Sequence, residues 1–192
     1  MRRIQVLIVL SLLVSTTRAA DNQLTDAERE EGWILLFDGR TLDGWMTSSE
    51  KPSLRPVEEH CINPHRCGGY MMIHKRPWAN FVLQLDFRIS PGCNSGIFFR
   101  TWPLEPRPGK DVGYNGLEMA VDDTSGAGYH DTGAIYDLVK PTKNALKPAG
   151  QWNHVVITCD KNRIRIELNG VQVLKQLREL GVAFCIAIVG KR

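Results

Sequence analysis

The sequence predicts an all-β protein, an antiparallel β-sandwich or jelly roll. Three observations carry this. Short runs alternate apolar and polar residues, turn signals separate them, and helical periodicity is almost absent. The clearest run is FVLQLDFRI, in which Phe81, Leu83, Leu85, Phe87 and Ile89 occupy every second position. A period of two places those five side chains on one face of a strand. Two strands are not stable alone, so the rest of the chain must supply the sheets that cover them.

The elements follow in order. Thr25 and Glu28 have capping-box spacing, and Gly32 stops a short helix begun near Leu24. Trp33 to Phe37 is an apolar run expected to be a strand. Asp38-Gly39 and Asp43-Gly44 are turns, and Trp45 is expected to close the core as a lid. Residues 46–69 read as a loop with one short strand near Val57. Tyr70 to His74 is a strand. After Phe81 to Ile89, Pro91-Gly92 breaks the chain and Ile97 to Thr101 resumes it, with Phe98 and Arg100 sharing a face. The Pro- and Gly-rich stretch that follows is long enough to be a loop over a site. Leu117 to Val121 alternates again, leading to Asp122-Asp123, a Gly-rich loop and a short strand at Ala134 to Tyr136. Trp152 to Cys159 and Arg163 to Leu168 are strands. Asn169-Gly170 is the strongest hairpin signal, with Val171 to Leu174 returning.

At 192 residues, one domain over 20–192 is expected. The composition is 43% hydrophobic and 23% charged, and the net charge is +3. No basic tract with interleaved aromatics exists, so nucleic acid is not an expected partner. Residues 1–19 have the pattern of an export signal. Met1-Arg2-Arg3 is basic, Ile4 to Val14 is a short apolar run, and Thr17 and Ala19 suit a cut after Ala19. The run is too short for an ordinary membrane span, so a secreted or periplasmic protein without stable membrane insertion is expected. In such a compartment Cys61 and Cys67 could close a small loop, and five cysteines leave at least one unpaired. The rival reading, zinc held with His60, His65 and His74, fits no standard spacing.

Five blocks together resemble one family. GWILLFDGRTLDGW, FVLQLDFRISPGCNSGIFFRT, GLEMAVDD, TGAIYDL and GQWNHVVITCDKNRIRIELNG, in this order from Gly32 to Leu174, are similar to the 3-keto-disaccharide hydrolase domain family. The resemblance implies a concanavalin A-like jelly roll. It also implies an exported role in carbohydrate breakdown, on glycosides already oxidised to a ketone at the third sugar carbon. A small carbohydrate is the expected substrate and a sugar 3-oxidoreductase that supplies the ketone a possible functional link; no cofactor is expected, with a divalent metal such as calcium left open. Two departures stand out. Ala120 occupies a position where the family commonly has Gln. QLRELGVAFCIAIVGKR is unlike the family's usual ending, so Ala183 to Val189 is either a final strand or part of an altered end that exposes a sheet edge.

A ketone acidifies the proton on the neighbouring carbon, so cleavage needs a base, a group for the enolate oxygen and an acid for the leaving group. Glu118 is the best candidate for the base. It lies opposite Leu117, Met119 and Val121, on a ligand face or a merely solvated one. Asp122 and Asp123 are acid/base groups, ligands of a divalent metal such as calcium, or turn residues. Arg100 could pair with Glu118 or hold the enolate oxygen, or be a plain surface Arg. His130 could act as acid or base near neutral pH, or be incidental. Asn94 could bind sugar hydroxyls, Tyr136 could stack on a ring, and Lys140 lies in a loop that could cover the site. Trp152 opens a strand, which favours the core over sugar stacking. The reading from another class is a non-catalytic carbohydrate-binding module of the cell envelope, since a sandwich alone does not define a reaction.

Overall fold

The computed structural model describes residues 21–47, 57–66, 71–101, 116–178 and 187–191. The expected export signal, Cys67, the Pro- and Gly-rich loop after Thr101 and Ala183 to Cys185 lie outside the described residues. Two antiparallel sheets form a sandwich. The larger contains β1 (Trp45–Thr47), β4 (Met71–His74), β11 (Ala187–Lys191), β6 (Asn94–Phe99) and β7 (Leu117–Asp122), in that spatial order. The smaller contains β10 (Val171–Arg178), β9 (Arg163–Leu168), β8 (Trp152–Asp160) and β5 (Phe81–Arg88). A two-stranded ribbon of β2 (Val57–Glu58) and β3 (Cys61–Ile62) stands apart. The one described α-helix, α1 (Asp26–Glu30), carries the expected capping box between Thr25 and Glu28. No helix among the described residues is long and apolar enough to cross a membrane.

The alternation seen in the sequence decides which side chains meet between the sheets. Leu83, Val155, Ile157, Cys159, Ile164, Ile166 and Leu168 project from the smaller sheet. Ile97, Phe99, Leu117, Met119 and Val121 project from the larger. All are buried, and together they form one continuous core. The hairpin between β9 and β10 turns at Asn169 and Gly170, both at positive φ, as an Asn-Gly turn requires. Register shifts in β10 let consecutive residues Val173 and Leu174 both turn inward. The apolar tail does supply a strand: β11 pairs with β4 on one side and β6 on the other.

Three expectations need correction. Trp33 to Phe37 is not a strand. It makes no ladder, and Ile34 and Leu35 face solvent while Leu36 packs against Trp45, whose indole N–H donates to the Leu36 carbonyl at 2.6 Å. A continuous apolar run lacks the alternation that marks one buried strand face, so its length misled. Trp152 is not core. Asn153, Val155, Ile157 and Cys159 point inward, so parity turns Trp152 outward beneath the Arg88 guanidinium, 5.0 Å from the ring centre. Cys61 is a free thiol and closes no disulfide loop.

Candidate functional site

The outer face of β6 and β7 is built by register. Ile97, Phe99, Leu117, Met119 and Val121 turn to the core, so the residues between them turn away from it. Pairing aligns Asn94 with Asp122, Gly96 with Ala120, and Phe98 with Glu118. Ile135 bridges Met119, and the Tyr136 N–H donates to the Glu118 carbonyl at 2.9 Å, which places Tyr136 beside Glu118. The result is a polar row, a floor of two small buried residues, and a row of Phe98, Glu118 and Tyr136. On the same sheet Phe98 packs with Met71, Ile73 and Met46. The acidic group therefore sits at the boundary of an apolar patch.

Gly96 sets the position of Glu118. A Cβ on Gly96 would stand 2.8 Å from both Cγ and Cδ of Glu118. The Glu118 side chain thus leans across the floor toward Asn94 and Asp122, through space that only glycine leaves free.

The Gly-rich loop is fixed by side chains of its own. The Asp131 carboxylate accepts from the Gly128 N–H and, at 3.0 Å, from the Thr124 hydroxyl. Asn144 Nδ2 donates to the carbonyls of Thr124 and Gly126 at 2.9 and 2.7 Å. Asp122 Oδ1 accepts the Thr132 N–H at 3.0 Å, and the buried Thr132 hydroxyl donates to the Asp122 carbonyl at 2.8 Å. The loop presents His130, whose ring stacks on Tyr136 with centres 4.5 Å apart and planes 20° apart. His130 Nε2 lies 2.6 Å from Asp137 Oδ1. Lys140 places its ammonium 4.8 Å from the centre of the Tyr129 ring.

The structure therefore brings Glu118, Asn94, Asp122 and Tyr136 onto one face, with His130 against Tyr136. It does not bring Arg100 there. The strand ends at Phe99, and Arg100 takes a left-handed φ of 59° that breaks the alternation with Phe98. Its side chain is 3% exposed and donates to the carbonyls of Ala79, at 2.7 Å, and Lys161. That geometry clamps two loops and leaves Arg100 without the expected position beside Glu118. Asp123 also lies off the face. Its carboxylate accepts the Gly92 N–H at 2.9 Å and its own N–H donates to the Cys93 carbonyl, which makes it a turn residue. Burial, then the charges of Asp123 and Asp122, push the Cys93 thiol up, so it stays protonated near neutrality and is a poor nucleophile. Two residues were missed by sequence reasoning. Gly96 precedes the run at Ile97 to Thr101 and carries no alternation signal of its own. Asp137 gave no periodic signal, because its left-handed φ of 60° is a property of the folded loop.

Comparison with known proteins places this geometry in a family. Residues 32–181 match the family model described as the 3-keto-alpha-glucoside-1,2-lyase-like domain. A 3-keto-disaccharide hydrolase of Bacteroides thetaiotaomicron is 26% identical over 169 residues, spanning 76% of this chain and 58% of the relative. The chain thus spans little more than half the length of that curated relative. A putative glycosyl hydrolase from Parabacteroides distasonis superposes with a TM-score of 0.69 at 19% identity, covering 89% of this chain and 96% of the other. A second putative glycosyl hydrolase from the same organism gives 0.52 at 25% identity, covering 64% and 76%. The β-sandwich is therefore shared with both. With a model match across most of its length, the chain belongs to the 3-keto-alpha-glucoside-1,2-lyase-like domain family.

Proposed function

We propose that this protein is an exported enzyme that cleaves 3-keto-glycosides by elimination and hydration, a net hydrolysis. The observation that carries the proposal is Glu118, held over the Gly96–Ala120 floor beside Asn94, Asp122 and Tyr136. Glu118 removes the proton from the carbon next to the ketone. The resulting enolate expels the glycosidic oxygen from the anomeric carbon, and His130 protonates that oxygen as it leaves. Water then adds to the anomeric carbon. His130 takes a proton from the water, and Glu118 returns its proton to the neighbouring carbon. Asn94 and Asp122 hold sugar hydroxyls, Tyr136 offers a ring face, and Phe98 supplies an apolar flank. An oxidoreductase acting at the third carbon supplies the substrate. Export is supported by the basic and apolar pattern of residues 1–19.

The test is turnover of a 3-keto-disaccharide beside its unoxidised parent, for the wild type and Glu118→Gln. The expected result is release of free sugar from the keto form alone. Glu118→Gln is expected to lose that activity by at least about a hundredfold while retaining its β-sheet circular dichroism. Sugar binding without turnover by the wild type would replace the enzyme with a carbohydrate-binding module.

A further inference from the structure

His130 is held from two directions. Its ring face lies on Tyr136, and its Nε2 lies 2.6 Å from Asp137 Oδ1. Asp137 stands at the apex of a tight turn in which the Ile135 N–H donates to the Val139 carbonyl at 2.9 Å, and the Leu138 and Val139 N–H groups both donate to the Ile135 carbonyl. The Asp137 N–H donates to the Tyr129 carbonyl at 3.2 Å, next to the side-chain contact with His130. Asp137 also pays for a left-handed backbone that glycine would adopt at lower cost. The turn itself thus asks only for a residue tolerant of positive φ, whereas the contact with His130 asks for a carboxylate.

A carboxylate has no hydrogen to donate, so a neutral His130 must donate Nε2–H to Asp137. The lone pair then resides on Nδ1, which makes no hydrogen bond to any described residue. Tyr136 is the backbone neighbour of Glu118, so the stack keeps the imidazole on the same side of the sheet as the base. We propose that Asp137 is a positioning residue that fixes His130 as the Nε2–H tautomer and makes Nδ1 the atom that exchanges protons with the glycosidic oxygen and with water. The proposal rests on the function above and assigns the atom by which its acid acts. Each cycle balances: Nδ1–H of the imidazolium goes to the leaving oxygen, and Nδ1 regains a proton from the water that adds.

Two measurements on the full chain test this. The first is 15N NMR of histidine-labelled wild type and Asp137→Asn, read at pH values where His130 is neutral. Asn tolerates the left-handed backbone, and Asp137→Gly serves as a second variant that keeps the turn. The expected wild-type spectrum shows His130 as the Nε2–H form, which Asp137→Asn converts to a mixture of tautomers. The second is a kinetic cycle of Asp137→Asn, His130→Gln and the double variant on a 3-keto-disaccharide. Asp137→Asn is expected to lower kcat by about tenfold to a hundredfold with KM little changed, below the full contribution of an acid–base group. The double variant is expected to be no slower than His130→Gln, because Asp137 acts only through His130. An Nδ1–H form in the wild type, a variant with wild-type kcat, or losses that multiply in the double variant would each overturn the assignment. Failure of the underlying function looks different, because then the wild type itself turns over no keto-sugar.

Discussion

At the residue scale, one missing side chain shapes the site. Gly96 has a φ in the ordinary range, so its value lies in the space it leaves. Gly96→Ala is expected to force Glu118 into another rotamer, since both Cγ and Cδ would be crowded at 2.8 Å. Turnover of the keto-substrate should fall at least about tenfold while the melting temperature moves by only a few degrees. A variant with full activity would show that Glu118 acts from another position. The face on which Glu118 sits was legible in the sequence, because Leu117, Met119 and Val121 alternate with it. The role of Gly96 was not, because it depends on which residue of the neighbouring strand lies across from it. Arg100 shows the same limit from the other side: parity placed it beside Phe98, and a single left-handed residue moved it into the protein.

At the element scale, the hairpin of β9 and β10 is tied to β8 by one side chain. Asn169 Oδ1 accepts the His154 N–H at 2.9 Å, and its Nδ2 donates to the Ala145 carbonyl and to Asn153 Oδ1, both at 2.8 Å. Asn153 is itself fully buried, and its Oδ1 also accepts the Lys147 N–H at 2.9 Å. Asn169→Gly keeps the positive φ but removes all three bonds, which takes these partners from the part-buried His154 N–H and Ala145 carbonyl, while Asn153 Oδ1 keeps the Lys147 N–H. It is expected to cost about 2–3 kcal/mol in urea unfolding. Asn169→Ala adds backbone strain and should cost more. Equal losses would mean that the backbone conformation matters little. The Asn-Gly signal located this turn from sequence alone. The partners across 15 to 24 residues were not legible, because they meet only when three segments converge.

At the scale of the whole molecule, His74 links stability to acidity. It is buried between Trp45 and Trp78, with ring centres 5.2 and 4.8 Å away, and its Nδ1 accepts the Arg76 N–H at 3.2 Å. Burial lowers its pKa below the usual histidine value and the Arg76 charge adds to this, while the Arg76 carbonyl, 3.5 Å from Nδ1, acts the other way by favouring the protonated ring. The unfolded chain therefore takes up a proton near pH 6.5 that the folded chain refuses until lower pH. The contribution of His74 to stability is complete above pH 6.5. It declines as the pH falls below that value and levels off beneath the folded pKa. His74→Asn, which keeps a polar acceptor, is expected to flatten the slope of urea stability between pH 7 and pH 5. An unchanged slope would assign the acid sensitivity to other groups. The sandwich as a whole was legible because alternation is local, whereas the order of strands within each sheet was not.

That order has a kinetic consequence. β11 lies between β4 and β6, more than 80 residues away along the chain, and follows β10, which belongs to the opposite sheet. Until it arrives, β4 and β6 face each other across an open slot with a bare hydrogen-bonding edge on each side. Closing the slot requires contacts distant in sequence, which makes refolding slow. A chain whose β11 is unpaired therefore offers two strand edges to any extended peptide, and that state is the one most open to aggregation.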